Sequence, residues 1–127
     1  MNLKSFIETA ISKGEDGELK SLSPLERKVF LISEAEVSCD MGSGFEHIFR
    51  RHGKEGAKEC SEAFELIGAT RISKAIDRIE YDHDGTPSES EDEACRLISE
   101  REDYDYDSIL TWVESESHKQ NRPNQSQ

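Results

Sequence analysis

The chain has 127 residues, of which 33% are hydrophobic and 35% are charged, and its formal net charge is −12. This length suits one domain with a modest core. The negative charge argues against direct binding to nucleic acid or to an anionic membrane, because both would repel it, and it favours a basic protein as partner.

No apolar run approaches the roughly 18–20 residues that span a bilayer, and the N-terminus lacks the basic and apolar regions of a signal peptide. We therefore expect no membrane contact and a cytoplasmic protein. The three cysteines, Cys39, Cys60 and Cys95, are widely spaced and form no Cys-x-x-Cys pair. We expect them to be reduced thiols packed on helix faces.

The apolar residues between Leu3 and Ile11 recur with helical spacing, which predicts a first helix that ends at Gly14 or Gly17. A second helix is expected to begin at the capping sequence Ser23-Pro24-Leu25-Glu26. The two glycines of segment 40–44 then predict a turn.

Five more helices follow from the same kind of pattern. They are a short helix around 45–49 that ends at Gly53, a helix over 57–67, a helix over 72–79 capped by Thr70, a helix starting at Ser88 or Ser90, and a last helix over 106–113 capped by Asp107. Together these patterns predict an all-α, compact single-domain bundle of about seven short helices, spanning residues 1–118 and followed by a flexible tail, 119–127.

One part of the chain has a recognisable pattern: a Glu-Val pair, a glycine-rich turn, an aromatic pair, a glycine, and a helix closing on Ile-Gly-Ala. It resembles a bacterial family of small, acidic, all-helical proteins that includes a DNA-mimic protein. The similarity covers most of residues 23–118. The residues that carry it are Glu36-Val37, Gly42-Ser43-Gly44-Phe45-Glu46-His47-Ile48-Phe49, Gly53, and the run 62–69.

This resemblance implies an all-helical fold with no known catalytic centre. One member of the family uses the acidic surface of a dimer to occupy the DNA-binding face of a transcription factor. The end of the chain is also similar, since Tyr106-Asp107-Ser108-Ile109-Leu110 opens a final helix that reaches His118.

The negative charge is concentrated in residues 77–107. This segment has thirteen Asp and Glu against three Arg and no Lys, so it holds about −10 of the total −12. Acidic residues stabilise helix starts, which accounts for those in 88–93. It does not account for Glu100, Glu102 and Asp103, which lie near a predicted helix end.

All three tyrosines of the chain also lie in this segment, and aromatic residues with a polar tip suit interfaces. We therefore predict that the segment contacts a partner. The predicted contact residues are Glu100, Glu102, Asp103, Tyr104, Asp105, Tyr106 and Asp107, together with Asp77, Glu80, Asp82 and Asp84.

Other motifs are weaker. Glu80, Asp82, Asp84 and Glu91 overlay the oxygen positions of a calcium loop, but position one is Glu and Pro87 stands within it, so we interpret the overlay as coincidence. The histidines, including His47 and His52, are expected to be surface or packing residues. No catalytic, metal or cofactor-binding residue is predicted.

Six cations form a basic middle: Arg50, Arg51, Lys54, Lys58, Arg71 and Lys74. They are interleaved with acids, which favours ion pairs within helices, and an intersubunit contact with the acidic segment in a homodimer is the alternative.

The sequence thus predicts a non-enzymatic acidic binding protein that engages a basic protein, such as a DNA-binding transcription factor. An immunity or antitoxin-like protein that neutralises a basic nuclease toxin is an alternative. A small enzyme with a pocket near residues 42–45 is the second.

Overall fold

A computed structural model describes residues 2–121 and contains six α-helices in that range. Its one β-feature in the described part is an isolated bridge between Tyr81 and Pro87. The all-α prediction is confirmed. The helices are α1 (Leu3–Asp16), α2 (Pro24–Asp40), α3 (Gly44–Leu66), α4 (Thr70–Asp77), α5 (Glu91–Ser99) and α6 (Tyr106–Asn121), with a 3-10 turn at Leu19–Ser21.

The difference between seven predicted helices and six observed ones arises at Gly53. This glycine was expected to end a short helix, and a helical segment does end there, but a second segment follows directly and the two are counted together as α3. Its backbone is nonetheless non-helical, with φ 76° and ψ −173°. Glycine tolerates this positive φ without a Cβ clash, so α3 is two helical segments joined at a kink.

Helix α2 is the centre of the bundle and contacts α1, α3, α5 and α6. Phe30, Leu31 and Ile32 on this helix are almost completely buried. The predicted start of α2 is confirmed: Glu26 N–H donates to Ser23 Oγ at 3.2 Å, and Ser23 N–H donates to Glu26 Oε1 at 2.9 Å. This capping box satisfies two backbone donors that a helix start otherwise leaves unpaired.

Two predicted caps are wrong. Asp105, rather than Asp107, caps α6, since its carboxylate accepts the backbone N–H of Ser108 at 2.9 Å. Ala69 occupies the cap position of α4, so Thr70 is its first helical residue. The predicted start of α5 at Ser90 is confirmed, since Ser90 occupies its cap position, but the Ser90 side chain makes no capping hydrogen bond; its hydroxyl donates to the carbonyl of Arg78 instead.

The last helix is longer than predicted. Helix α6 continues to Asn121, three residues past the expected domain boundary at 118. The remainder of the expected tail, 122–127, lies outside the described residues. Within residues 2–121, no helix combines the length and the apolar character needed to cross a membrane.

An ion-paired contact joins α2 to α3. Arg27 Nε lies 2.9 Å from Glu59 Oε1, and Lys28 Nζ lies 3.0 Å from Glu59 Oε2. Only 17% of the Glu59 side chain is exposed. Burial would raise the pKa of Glu59, but its hydrogen bonds and the charges of Arg27 and Lys28 outweigh burial and hold that pKa below its ordinary value.

A folded-state pKa below the unfolded one means that Glu59 stabilises the fold above the ordinary carboxyl pKa, and that this stability is lost as the pH falls through the folded value. We expect Glu59→Gln to lower the free energy of unfolding by about 1–3 kcal/mol near neutral pH. We also expect a flatter dependence of stability on pH between about pH 5 and pH 3. Denaturant unfolding across this range tests both.

Glu55→Gln is the matched control, because Glu55 is an exposed carboxylate one turn earlier on α3. If the two variants have the same stability at every pH, the Glu59 contact does not contribute as described.

Candidate functional site

The acidic segment 77–107 forms the end of α4, a loop, all of α5, the turn that follows it, and the start of α6. Eleven of its thirteen carboxylate residues are exposed. Within the described residues, only Glu93, Glu100 and Glu102 of these thirteen form an ion pair. The remaining ten form no ion pair in this part of the chain, and most of them are exposed to solvent.

The exposed side of α5 concentrates part of this charge. Arg96 lies between Glu93, at 3.7 Å, and Glu100, at 3.0 Å, and Asp92 is exposed on the same side. Asp92 and Glu93 are adjacent in the sequence, whereas Glu93 and Glu100 are seven positions apart, about 10 Å along a helix axis. The pair at 92–93 therefore lies within the Debye length of about 8 Å at physiological salt, and Arg96 offsets part of the charge between this pair and Glu100.

The turn after α5 is fixed to α2 by Arg101. Its guanidinium lies 3.3 Å from Glu36 Oε2 and 3.0 Å from Asp40 Oδ2, and it also donates to the carbonyl of Ile98 at 2.7 Å. Arg101 and Asp103 have positive φ, 54° and 67°. Non-glycine residues adopt this conformation only where the surroundings hold them, which the Arg101 contacts do here.

Tyr104 strengthens the same attachment. Its hydroxyl donates to Glu36 Oε2 at 2.5 Å, and its ring packs edge-on against Phe64 with centroids 5.5 Å apart. Only 7% of Tyr104 is exposed, whereas 47% of Tyr106 is. The two tyrosines predicted as contact residues therefore differ: Tyr104 belongs to the core, and only Tyr106 presents its ring to solvent.

Among the predicted contact residues of the segment, the structure brings most of those between 100 and 107 to the surface beside α5. Glu102 forms an ion pair with Arg71 of α4 at 3.2 Å. Asp105 is used as the cap of α6. Asp103 and Asp107 are exposed and have no ion-pair partner in the described part of the chain.

The earlier predicted residues, before α5, are mostly engaged locally. Asp77 accepts the hydroxyl of Ser61 at 2.7 Å. Asp82 accepts the backbone N–H groups of Asp84 and Thr86, and Asp84 accepts the hydroxyl of Thr86 at 2.7 Å. Hydrogen bonding with Asp82 and Thr86 lowers the pKa of Asp84 to about 2. Asp82 and Asp84 thereby hold the shape of their own loop, whereas Asp77 links α4 to α3.

Asp77 and Glu80 also line a groove of about 680 Å³, whose lining includes Lys54, Lys58 and the apolar side chain of Ile76. Asp77 and Glu80 thus share this groove with two lysines, although neither forms an ion pair with them among residues 2–121.

A model of the family described as DMP19-like protein matches residues 20–121, which contain α2 to α6 and every predicted contact residue. The chain belongs to the DMP19-like protein family. No curated protein and no solved structure matches the chain. The predicted resemblance to the DNA-mimic family is thereby confirmed, and α1 lies outside the match.

The glycine-rich turn of this DMP19-like chain packs beneath α5. Gly44 begins α3 with φ +60°, and a Cβ added there would lie 2.7 Å from Glu91 Oε2. Glu91 in turn accepts the backbone N–H of Phe45 at 3.1 Å. Burial raises the pKa of Glu91. Because Glu91 faces α3, its carboxylate is directed away from the loop that contains Asp82 and Asp84. A calcium site with the predicted spacing would need Glu91 in that loop.

A second charged cluster, around Glu34 of α2, was not predicted from the sequence. Glu34 is buried, and its oxygens lie 2.9 Å from His47 Nε2, 3.8 Å from His52 Nε2 and 3.2 Å from Arg51 Nη1. Burial would raise the pKa of Glu34, but His52, Arg51 and His47 together outweigh burial and lower it. His47 and His52, which were predicted to be surface or packing residues, both approach this one carboxylate.

The only signal for this cluster in the sequence was an acidic residue between buried positions of α2, Ile32 and Ala35. Arg51 also donates to the carbonyls of Gly14 and Glu15 at 3.3 Å, so the cluster ties α1 to α3. In the described part of the chain, no group of three or more His, Cys, Asp or Glu side chains has the geometry to hold a metal ion.

The different burial of the two tyrosines can be tested directly. We expect Tyr104→Ala to lower the free energy of unfolding by about 3–5 kcal/mol, because it removes a buried ring and leaves Glu36 without its hydroxyl donor. Tyr106→Ala removes an exposed ring and should change stability by less than about 1 kcal/mol. Denaturant unfolding of both variants measures the difference, and equal losses would contradict the anchoring role of Tyr104.

Proposed function

We propose that the chain is a non-enzymatic binding protein whose acidic face occupies the basic, DNA-binding surface of a regulatory protein. The acidic face consists of Glu89, Asp92, Glu93, Glu100, Glu102, Asp103, Asp105 and Asp107. The observation that supports the proposal is the concentration of exposed carboxylates with few ion-pair partners around α5, in a chain whose other parts are nearly balanced in charge.

The physical basis is that such a face attracts a basic groove in the same way as a phosphate backbone does. Each DNA strand presents one negative charge per about 3.4 Å of helix axis. The exposed carboxylates of the acidic face would supply the negative charge that such a groove meets on DNA. A field of this kind accelerates encounter with a basic partner and disfavours acidic ones.

The rigidity of the acidic face also supports the proposal. The contacts of Arg101 and Tyr104 with α2 hold the turn at 100–104 in place before any partner arrives. A surface that is already ordered loses less conformational entropy on binding, so more of the electrostatic attraction appears as affinity.

The three arginines of the basic middle are already paired inside the chain. Arg50 pairs with Glu46, Arg51 with Glu34, and Arg71 with Glu102, all within one chain. This leaves Lys54, Lys58 and Lys74 as the cations of that group with no ion pair among residues 2–121. We propose that any homodimer places these lysines, rather than the arginines, against acidic residues of the second copy.

The test compares two variants with equal loss of charge. The first, Asp92→Asn/Asp103→Asn/Asp107→Asn, neutralises three exposed carboxylates of the acidic face, and asparagine accepts the positive φ of position 103. The control, Glu8→Gln/Glu15→Gln/Asp16→Asn, neutralises three exposed carboxylates of α1.

Each immobilised protein is incubated with a bacterial lysate at low salt, and retained proteins are identified and then purified. We expect a defined basic protein to bind the wild type and the control within about twofold, and the first variant roughly tenfold or more weakly. Binding should weaken as salt rises.

A DNA duplex labelled for fluorescence anisotropy then distinguishes the kind of partner. If the retained protein is a transcription factor, the wild-type chain should displace its operator DNA. Retention of a nuclease whose activity is blocked would favour the immunity-like alternative. If both triple variants bind the retained protein equally, the acidic face is not the binding surface and the proposal fails.

A further inference from the structure

Two of the three thiols lie in contact. Cys39, near the end of α2, and Cys95, on α5, have their Sγ atoms 2.8 Å apart although they are 56 positions apart in the sequence. Both are partly exposed, whereas Cys60 is completely buried. The fold therefore pairs the two accessible thiols with each other and separates the third from solvent.

Small molecules have access to this pair. The two cysteines line a cavity of about 340 Å³ that also includes Gly42, Gly44 and Ser99 in its lining. Glu91, Asp92 and Arg96 complete the lining, so charged side chains border the approach to the sulfurs.

The start of α3 lies against Cys95. A Cβ on Gly44 would lie 3.4 Å from Cys95 Sγ as well as close to Glu91, so glycine is needed for this close packing. Donation from the Cys39 thiol lowers the pKa of Cys95, burial opposes this, and the backbone N–H of Phe45 adds to the lowering. Helix N-termini stabilise thiolates, and the thiolate is the reactive form of cysteine.

We propose that Cys39 and Cys95 form a reversible dithiol–disulfide pair that reacts with low-molecular-weight disulfides such as oxidised glutathione. The Cys95 thiolate attacks one sulfur of oxidised glutathione, a protein–glutathione disulfide forms, and one glutathione thiolate leaves. The Cys39 thiol then loses its proton and attacks Cys95 Sγ, forming the Cys39–Cys95 disulfide and releasing the second glutathione. Overall, the protein loses two electrons and two protons, and oxidised glutathione gains them.

The disulfide would join α2 covalently to α5, close to the contact between Arg101 and Asp40 that already connects these regions. It would close a loop that contains α3 and α4. Closing a long loop reduces the conformational freedom of the unfolded chain and so raises stability. Formation of this disulfide is independent of the proposed binding function, because it requires no protein partner.

The experiment equilibrates the native full-length protein in glutathione buffers of increasing oxidised fraction. Free thiols are then blocked in acid, and the protein is digested and analysed by mass spectrometry without reduction. We expect the mass of the intact protein, before blocking, to fall by two hydrogen atoms. The digest should contain a linked pair of peptides with Cys39 and Cys95, and a peptide in which the Cys60 thiol is blocked. The oxidised protein should melt higher than the reduced one by on the order of 10 °C.

Cys39→Ser and Cys95→Ser should abolish both the linked peptides and the difference in melting temperature, whereas Cys60→Ala should retain both. The proposal is overturned if the oxidised wild type has glutathione on single cysteines without a linked pair, if it links two chains instead, or if Cys60 forms the bond.

Discussion

The position of Arg101 between Glu36 and Asp40 is the contact on which the acidic surface depends. It brings the end of α5 and the following turn onto α2, the most central helix of the bundle. Tyr104 donates to the same Glu36 and inserts its ring beside Phe64. Two carboxylates of α2 thereby hold one arginine, and the acids on either side of it, Glu100 and Glu102, lie at the surface, where they pair with Arg96 and Arg71.

Much of the fold follows from local patterns in the sequence. The capping box at Ser23 and the apolar spacing of α1 and α2 predict their starts because both act within a few residues. Gly53 also behaves as predicted, since a helical segment ends there at positive φ, although a second segment follows directly. Asp105 caps α6 in place of Asp107 through a contact that is itself local, since Ser108 three residues later donates to it.

Composition alone identifies the acidic segment, but it does not indicate which residues of the segment are buried and which are exposed. Nothing in the spacing of Tyr104 and Tyr106 indicates that one ring is buried and the other exposed. The Glu34 cluster and the meeting of Cys39 with Cys95 depend on contacts between helices that sequence distance does not reveal. Membership of the DMP19-like family supports the fold, and the binding role rests on the charge and its rigid presentation.

The central claim is that the acidic face around α5 is the surface that meets a basic partner. Hydrogen–deuterium exchange of the chain, free and in complex with the basic protein that it retains, tests this most directly. We expect exchange in the complex to slow in residues 89–107 and to stay unchanged in α1. Slowed exchange confined to α1 or to the basic middle, with 89–107 unaffected, would contradict the account.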